Sequence, residues 1–296
     1  MNYAFLTFCL LILAGSERDQ DSSLDSSSLL QTPSVKLDAG GDVEEAKPHI
    51  IGLRRESVPI YRRGKVASFK TSYSGLLRVG TPAQDFRVVF DTGSGHVVLP
   101  AAECKSEACQ VPTRRKYSQK DSETAVPINA DGSIIGENAL GEQVTIGFGT
   151  GEITGEFARD VVCFGAEAEK VNETVEDGLV PASALEVDYS PTCVEMSLIV
   201  AVEMSTQPFK TFQFDGILGL SLEGLTMNKN FSTFEMLVRS GIAAQPLFSV
   251  FLSDGEFNEE SEVAMGGVDS RRLMEPISWS EVAMHDLGYW QGRIKA

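Results

Sequence analysis

From Ser72 onward the chain is a series of short β-rich runs cut by glycines, and that rhythm limits what it can fold into. The runs are Leu76–Val79, Phe86–Phe90, His96–Leu99, Val144–Phe148, Val161–Phe164, Leu198–Val202, Ile217–Leu220 and Leu247–Leu252. Several alternate apolar with polar residues, and Gly80-Thr81-Pro82, Asp131-Gly132 and Asp254-Gly255 supply turns between them. One helix is expected, Ser232 to Ser240: Ser232 can cap it, Glu235 follows three residues on as in a capping box, and Gly241 can end it. Many short strands with few short helices predict an all-β fold, an antiparallel barrel or sandwich, rather than α/β.

Charge narrows the partners. The 296 residues carry 25 Lys+Arg against 42 Asp+Glu, and residues 1–70 are balanced at nine of each sign. The whole excess of −17 therefore sits in residues 71–296, a body that repels phosphate backbones and anionic lipid. Nucleic acid and membrane surfaces are poor partners for it, and no apolar run approaches the ~20 residues of a membrane span.

The amino-terminal segments read as processing sequence. Ala4 to Ala14 is apolar except for Thr7 and is followed by small Gly15 and Ser16, which predicts a secretory signal over 1–16. Residues 17–46 are rich in Ser and Asp and cannot bury enough surface to fold alone. From Lys47 to Lys70 seven basic residues face Glu56 alone, so 17–70 reads as a prosegment, disordered then basic, that docks on the acidic body with Lys65 or Lys70 nearest Asp91. A solvated linker or a dibasic processing site is the rival reading of that stretch. With Cys9 removed, Cys104, Cys109, Cys163 and Cys193 remain, an even number in a secreted chain. Cys104-x4-Cys109 closes a short loop, and Cys163 with Cys193 follows by elimination. No metal is expected, because His49, His96 and His285 are isolated and offer no second ligand pair.

Chemistry concentrates at Val88-Val89-Phe90-Asp91-Thr92-Gly93-Ser94-Gly95. An acid at the end of an apolar strand, followed by a tight hydroxyl-bearing turn, is partly desolvated while donors stand close by, and those influences tune its acidity in opposite directions. An ordinary Asp-capped turn is the bland alternative. Other templates fail: Thr92-Gly93-Ser94-Gly95 lacks the first glycine of a nucleophile elbow, and Gly147-x-Gly149-x-Gly151 has the wrong spacing for a dinucleotide loop.

The chain resembles the pepsin-like aspartic proteases over about residues 73–291. Tyr73-Ser74-Gly75 through Gly80-Thr81-Pro82 looks like the strand and turn leading to the first active-site loop, and Cys104-x4-Cys109 like the small disulfide loop. Gly147-Phe148-Gly149-Thr150-Gly151 resembles the flap, and Phe214-Asp215-Gly216-Ile217-Leu218-Gly219-Leu220 the strand packed under the catalytic loop. Pro246–Leu252, Gly266–Asp269 and Gly288–Gln291 continue in order. The resemblance implies a double-psi-type barrel, the amino-terminal lobe with interlobe strands (71–296), and endopeptidase chemistry on polypeptides with no cofactor. Asp91 would be catalytic, Ser94 would orient its carboxylate, and Thr92, Gly93 and Gly219 would support the loop. Phe148, Gly149 and Thr150 would close over substrate. Phe148 and Val98 stand where the family usually has Tyr and Trp, which implies a looser flap or a reshaped S1 pocket, and His96 replaces a common Asn as a turn residue. An insertion around Pro127–Glu142 lengthens a surface loop, and Asn172 is the favoured glycosylation sequon over Asn230.

Such proteases take one aspartate from each of two lobes. No second apolar-apolar-Asp-Thr/Ser-Gly occurs among the 296 residues; Asp131, Asp215 and Asp269 do not fit it. The expectation is a secreted zymogen of extracellular or acidic vacuolar destination that needs its carboxy-terminal lobe and is inactive without it. The alternative is a non-catalytic peptide-binding or inhibitory lobe.

Overall fold

The computed structural model describes residues 13–14, 47–136, 139–149, 151–165, 192–254 and 259–294. Most of the signal reading at 1–16, the segment 17–46, Thr150 and the Asn172 sequon lie outside them. The strands are β1 (Leu13–Ala14), β2 (His49–Arg62), β3 (Lys65–Val79), β4 (Gln84–Asp91), β5 (Val97–Pro100) and β6 (Val126–Ile128). They continue with β7 (Gln143–Phe148), β8 (Gly151–Phe164), β9 (Thr192–Met204), β10 (Gly216–Gly219), β11 (Leu247–Phe251) and β12 (Ser261–Met265). Among the described residues there is one α-helix, α1 (Thr233–Arg239).

Six strands close a barrel in the order β3–β4–β10–β5–β9–β8, with β8 returning to β3. The pairs β4–β10 and β5–β9 are parallel and the others antiparallel. The four-residue strands β5 and β10 are buried at every position. Their unbroken apolar runs, flanked by strands on both sides, read as core rather than as a two-faced sheet. The longer β8 alternates, and its inward Ile153, Phe157, Val162 and Phe164 meet Leu77, Phe86, Val88, Leu99, Leu198 and Leu218 in one core. Burying each such side chain contributes roughly 1.5–3 kcal/mol.

The expected helix is present. Ser232 Oγ accepts from the Glu235 amide at 3.2 Å, and Gly241 takes φ +78° just past the end. Its inner face places Phe234 edge-on to Phe248 and Trp290. Both disulfides form as expected: Cys104–Cys109 spans a Cα separation of 6.0 Å, and Cys163–Cys193 joins residues directly opposed in β8 and β9.

The basic stretch 47–70 is β-structure. His49–Leu53 pairs with Met265–Ser261 of β12, beyond which lie β11 and β1. The rest of β2 pairs with β3 from Arg54↔Ser74 to Arg62↔Lys65, forming a ribbon exposed along most of its length. The expected division at residues 70/71 falls inside β3. Lys65 lies at the exposed tip, and Lys70 Nζ sits 3.7 Å from the centre of the Phe212 ring, so neither pairs with Asp91.

Candidate active site

β4 carries its apolar Val88-Val89-Phe90 out of the core and ends on the half-buried Asp91. β10 lies parallel beside it with Gly219 opposite Asp91, and then passes behind the loop 91–96. Backbone bonds sew the two together: the Leu220 amide donates to Asp91 O at 2.8 Å, Ser221 to Ser94 O at 2.9 Å and Gly219 to His96 O at 3.0 Å. No side chain fits at position 219, because a Cβ there would lie 2.5 Å from both His96 N and Ser94 O. The carboxylate Oδ1 accepts from the Gly93 amide at 2.9 Å. Ser94 Oγ is buried without a hydrogen-bond partner among the described residues, so the Gly93 amide, not Ser94, holds the carboxylate here. Thr92 and Gly93 are exposed at the loop's crest.

His96 is structural, as its turn position suggested. Its Nε2 accepts from the Met227 amide at 3.1 Å and its ring stands edge-on to Phe231. Burial lowers its pKa to about 4, and the accepting Nε2 fits a neutral ring.

The segment expected to form a flap is a hairpin, β7–β8, with Gly149 at φ +59° in its turn. Phe148 packs edge-on to Phe209 at 6.0 Å, Phe209 contacts Phe212, and Phe212 stacks on Phe214 at 4.6 Å. Ring-on-ring packing therefore anchors Phe148 in the hairpin. Val98, Phe209 and Phe214 line a small cavity behind this aromatic bed, together with Arg114 and Asp215.

Arg114 and Asp215 escaped the sequence reading as site-building residues. The buried Arg114 guanidinium donates to Ala108 O at 2.7 Å and to Phe209 O and Phe212 O at 2.9 Å, fixing the segment that carries the aromatic bed. Burial lowers its pKa, opposed by the charge of Asp215. Asp215 accepts from the amides of Arg87 and Arg115 at 2.8 and 2.7 Å. It precedes β10, at the end of that strand opposite Asp91, so it braces the barrel and is not a partner acid. Asp269 is likewise engaged, by Arg271 at 2.7 Å. Among the described residues no cluster of His, Cys, Asp or Glu could hold a metal.

Comparison with known proteins agrees with this geometry. The family model for eukaryotic aspartyl protease matches residues 72–178 and 187–296. Gastricsin of Cavia porcellus is 30% identical over 223 residues, 74% of this chain and 46% of gastricsin. Pepsin A of Bos taurus is 31% identical over 221 residues, 75% and 48% of the two chains. Cathepsin E of Mus musculus is 28% identical over 263 residues, 86% and 56%. The chain thus spans about half the length of the curated relatives it matches. An aspartate ending β4 of a closed barrel, a glycine of β10 packed against its loop and, above all, a family match across most of the chain together make this protein a member of the eukaryotic aspartyl protease family.

Proposed function

We propose that residues 71–296 are the Asp91-bearing half of a secreted aspartic endopeptidase that becomes active once a second aspartate is supplied from outside residues 1–296. The observation that carries this reading is the Asp91 loop sewn to β10, with its carboxylate on the Gly93 amide, in a chain whose β7–β8 hairpin is anchored through Phe148. In the completed site two carboxylates share one proton, since like charges at ~3 Å cannot both ionise; that pair is the type example from this family and its spacing is the family's own. The charged member takes a proton from water as it attacks the scissile carbonyl, and the protonated member gives one to the leaving amine. Phe148 and Gly149 close over an extended peptide and exclude water. The substrate is polypeptide and no cofactor takes part.

Residues 1–16 would direct secretion, to the exterior or to an acidic vacuolar or lysosomal compartment, and 17–70 would be the prosegment. The Lys70–Phe212 contact supports a prosegment whose base touches the aromatic bed of the flap. The test is cleavage of an unstructured protein at acidic pH by the 17–296 chain alone and by a chain extended to the full length of the relatives, each with and without Asp91→Asn. Turnover by the extended protein only, abolished by Asp91→Asn, is expected. Turnover by 17–296 alone, lost in Asp91→Asn, would mean that two copies pair their Asp91 residues. No turnover by either, with retained peptide binding, selects the non-catalytic binding lobe.

A further inference from the structure

Four Arg-Arg pairs occur in the chain, and one of them sits at the exposed tip of a hairpin. We propose that this pair, Arg62-Arg63, is a proteolytic modification site: a dibasic-specific endoprotease cuts the Arg63–Gly64 bond and leaves a two-chain protein whose amino-terminal strand stays in the sheet. Water adds across the bond, its hydroxyl going to the Arg63 carbonyl carbon and its hydrogen to the Gly64 nitrogen.

The site is the tip of the β2–β3 ribbon. Arg63 and Gly64 form a two-residue turn with φ of +51° and +74°, a left-handed pair that glycine tolerates and arginine does not favour. Arg62, Arg63, Gly64 and Lys65 are all exposed. The pairing register slips between Ile60 and Tyr61, so only Tyr61↔Val66 and Arg62↔Lys65 hold the tip beyond the irregularity. Opening those two pairs presents the extended segment that an endoprotease requires, with little buried surface lost.

The other three pairs are held. Arg54-Arg55 lies at the ribbon's base, paired with Ser74 and Tyr73, where the Tyr73 hydroxyl donates to Ser253 O at 2.7 Å. Arg114 is buried on three carbonyls and the Arg115 amide donates to Asp215. Arg271 is bound to Asp269, and Arg272 to Glu262 at 3.0 Å.

Cutting the tip does not free the strand behind it. His49–Leu53 remains laddered to β12, with Ile50, Ile51 and Leu53 buried and His49 Nε2 2.9 Å from Phe164 O. Cleavage here is independent of whether Asp91 is catalytic.

The experiment digests the purified 296-residue chain at neutral pH with a subtilisin-like dibasic endoprotease, followed by intact mass, amino-terminal sequencing and native size exclusion. A new terminus at Gly64 is expected at least about ten-fold faster than any other, because cleavage tracks the population of the opened segment. Both pieces should co-elute natively and separate only in denaturant. Arg63→Asn suits the left-handed turn and removes the cation before the scissile bond; it should abolish the Gly64 terminus without lowering the melting temperature. First cleavage after Arg55, Arg115 or Arg272 overturns the proposal. So does no cleavage where a control dibasic peptide is cut, a Gly64 terminus that persists in Arg63→Asn, or release of the amino-terminal piece in native buffer.

Discussion

The imidazole of His96 sets an acid penalty beside the Asp91 loop. Its folded pKa of about 4 lies below the ordinary 6.5, because burial disfavours the charged ring. The neutral ring's full contribution is therefore present above about pH 6.5. Below that the unfolded chain takes up a proton that the folded one refuses, and by pH 4 roughly 3 kcal/mol of stability is lost. His96→Gln carries an amide oxygen out to the reach of Nε2, keeping an acceptor for the Met227 amide, and removes the titration. Urea unfolding midpoints measured from pH 7 to pH 4 should fall less in His96→Gln than in the parent; parallel curves would exclude His96 as the source. Gly219 is the other decisive residue. A methyl there meets backbone on both sides, so Gly219→Ala should cost at least about 3 kcal/mol and dislodge the Asp91 loop, read as a lowered melting temperature.

Among the elements, the flap depends on its bed. Phe209 is buried between Phe148 and Phe212, so Phe209→Ala should destabilise by about 3–5 kcal/mol and raise hydrogen exchange through 143–149 and 151–156 more than through β4. Equal exchange in both would separate the flap from that contact. The elements that sequence reading recovered carry their reasons locally: Asp91 ends an apolar run, β10 is apolar throughout, and α1 has its cap three residues from Glu235. β2 was missed because Arg54, Arg55, Arg62 and Arg63 give it the look of a solvated linker, while its order comes from β3 and β12, the latter some 200 residues away. The Arg114–Asp215 brace was missed for the same reason: its partners lie about 100 residues apart, and neither segment reveals the other. The Ser94 hydroxyl, buried without a partner among the described residues, could not be foreseen, since a rotamer is set by packing rather than by a motif.

Across the whole molecule, the segment after β12 leaves a set of large apolar side chains in solvent. Met274, Trp279, Met284, Leu287 and Tyr289 are each at least 46% exposed, an unusual density for one stretch of surface. On the two-lobe reading this stretch is covered when the second half is present. The chain has two tryptophans, and they report separately. Trp290 donates its indole N–H to Leu220 O at 2.7 Å and packs edge-on to Phe234 and Phe248, whereas Trp279 is 53% exposed. Acrylamide quenching of the 296-residue chain should therefore resolve two populations, and Trp279→Phe should remove the accessible one. In a protein extended to the length of its relatives, Trp279 should become protected and its emission should shift to the blue. If it quenches as readily there as in the shorter chain, the segment is outer surface, and the apolar set must be assigned to a different contact.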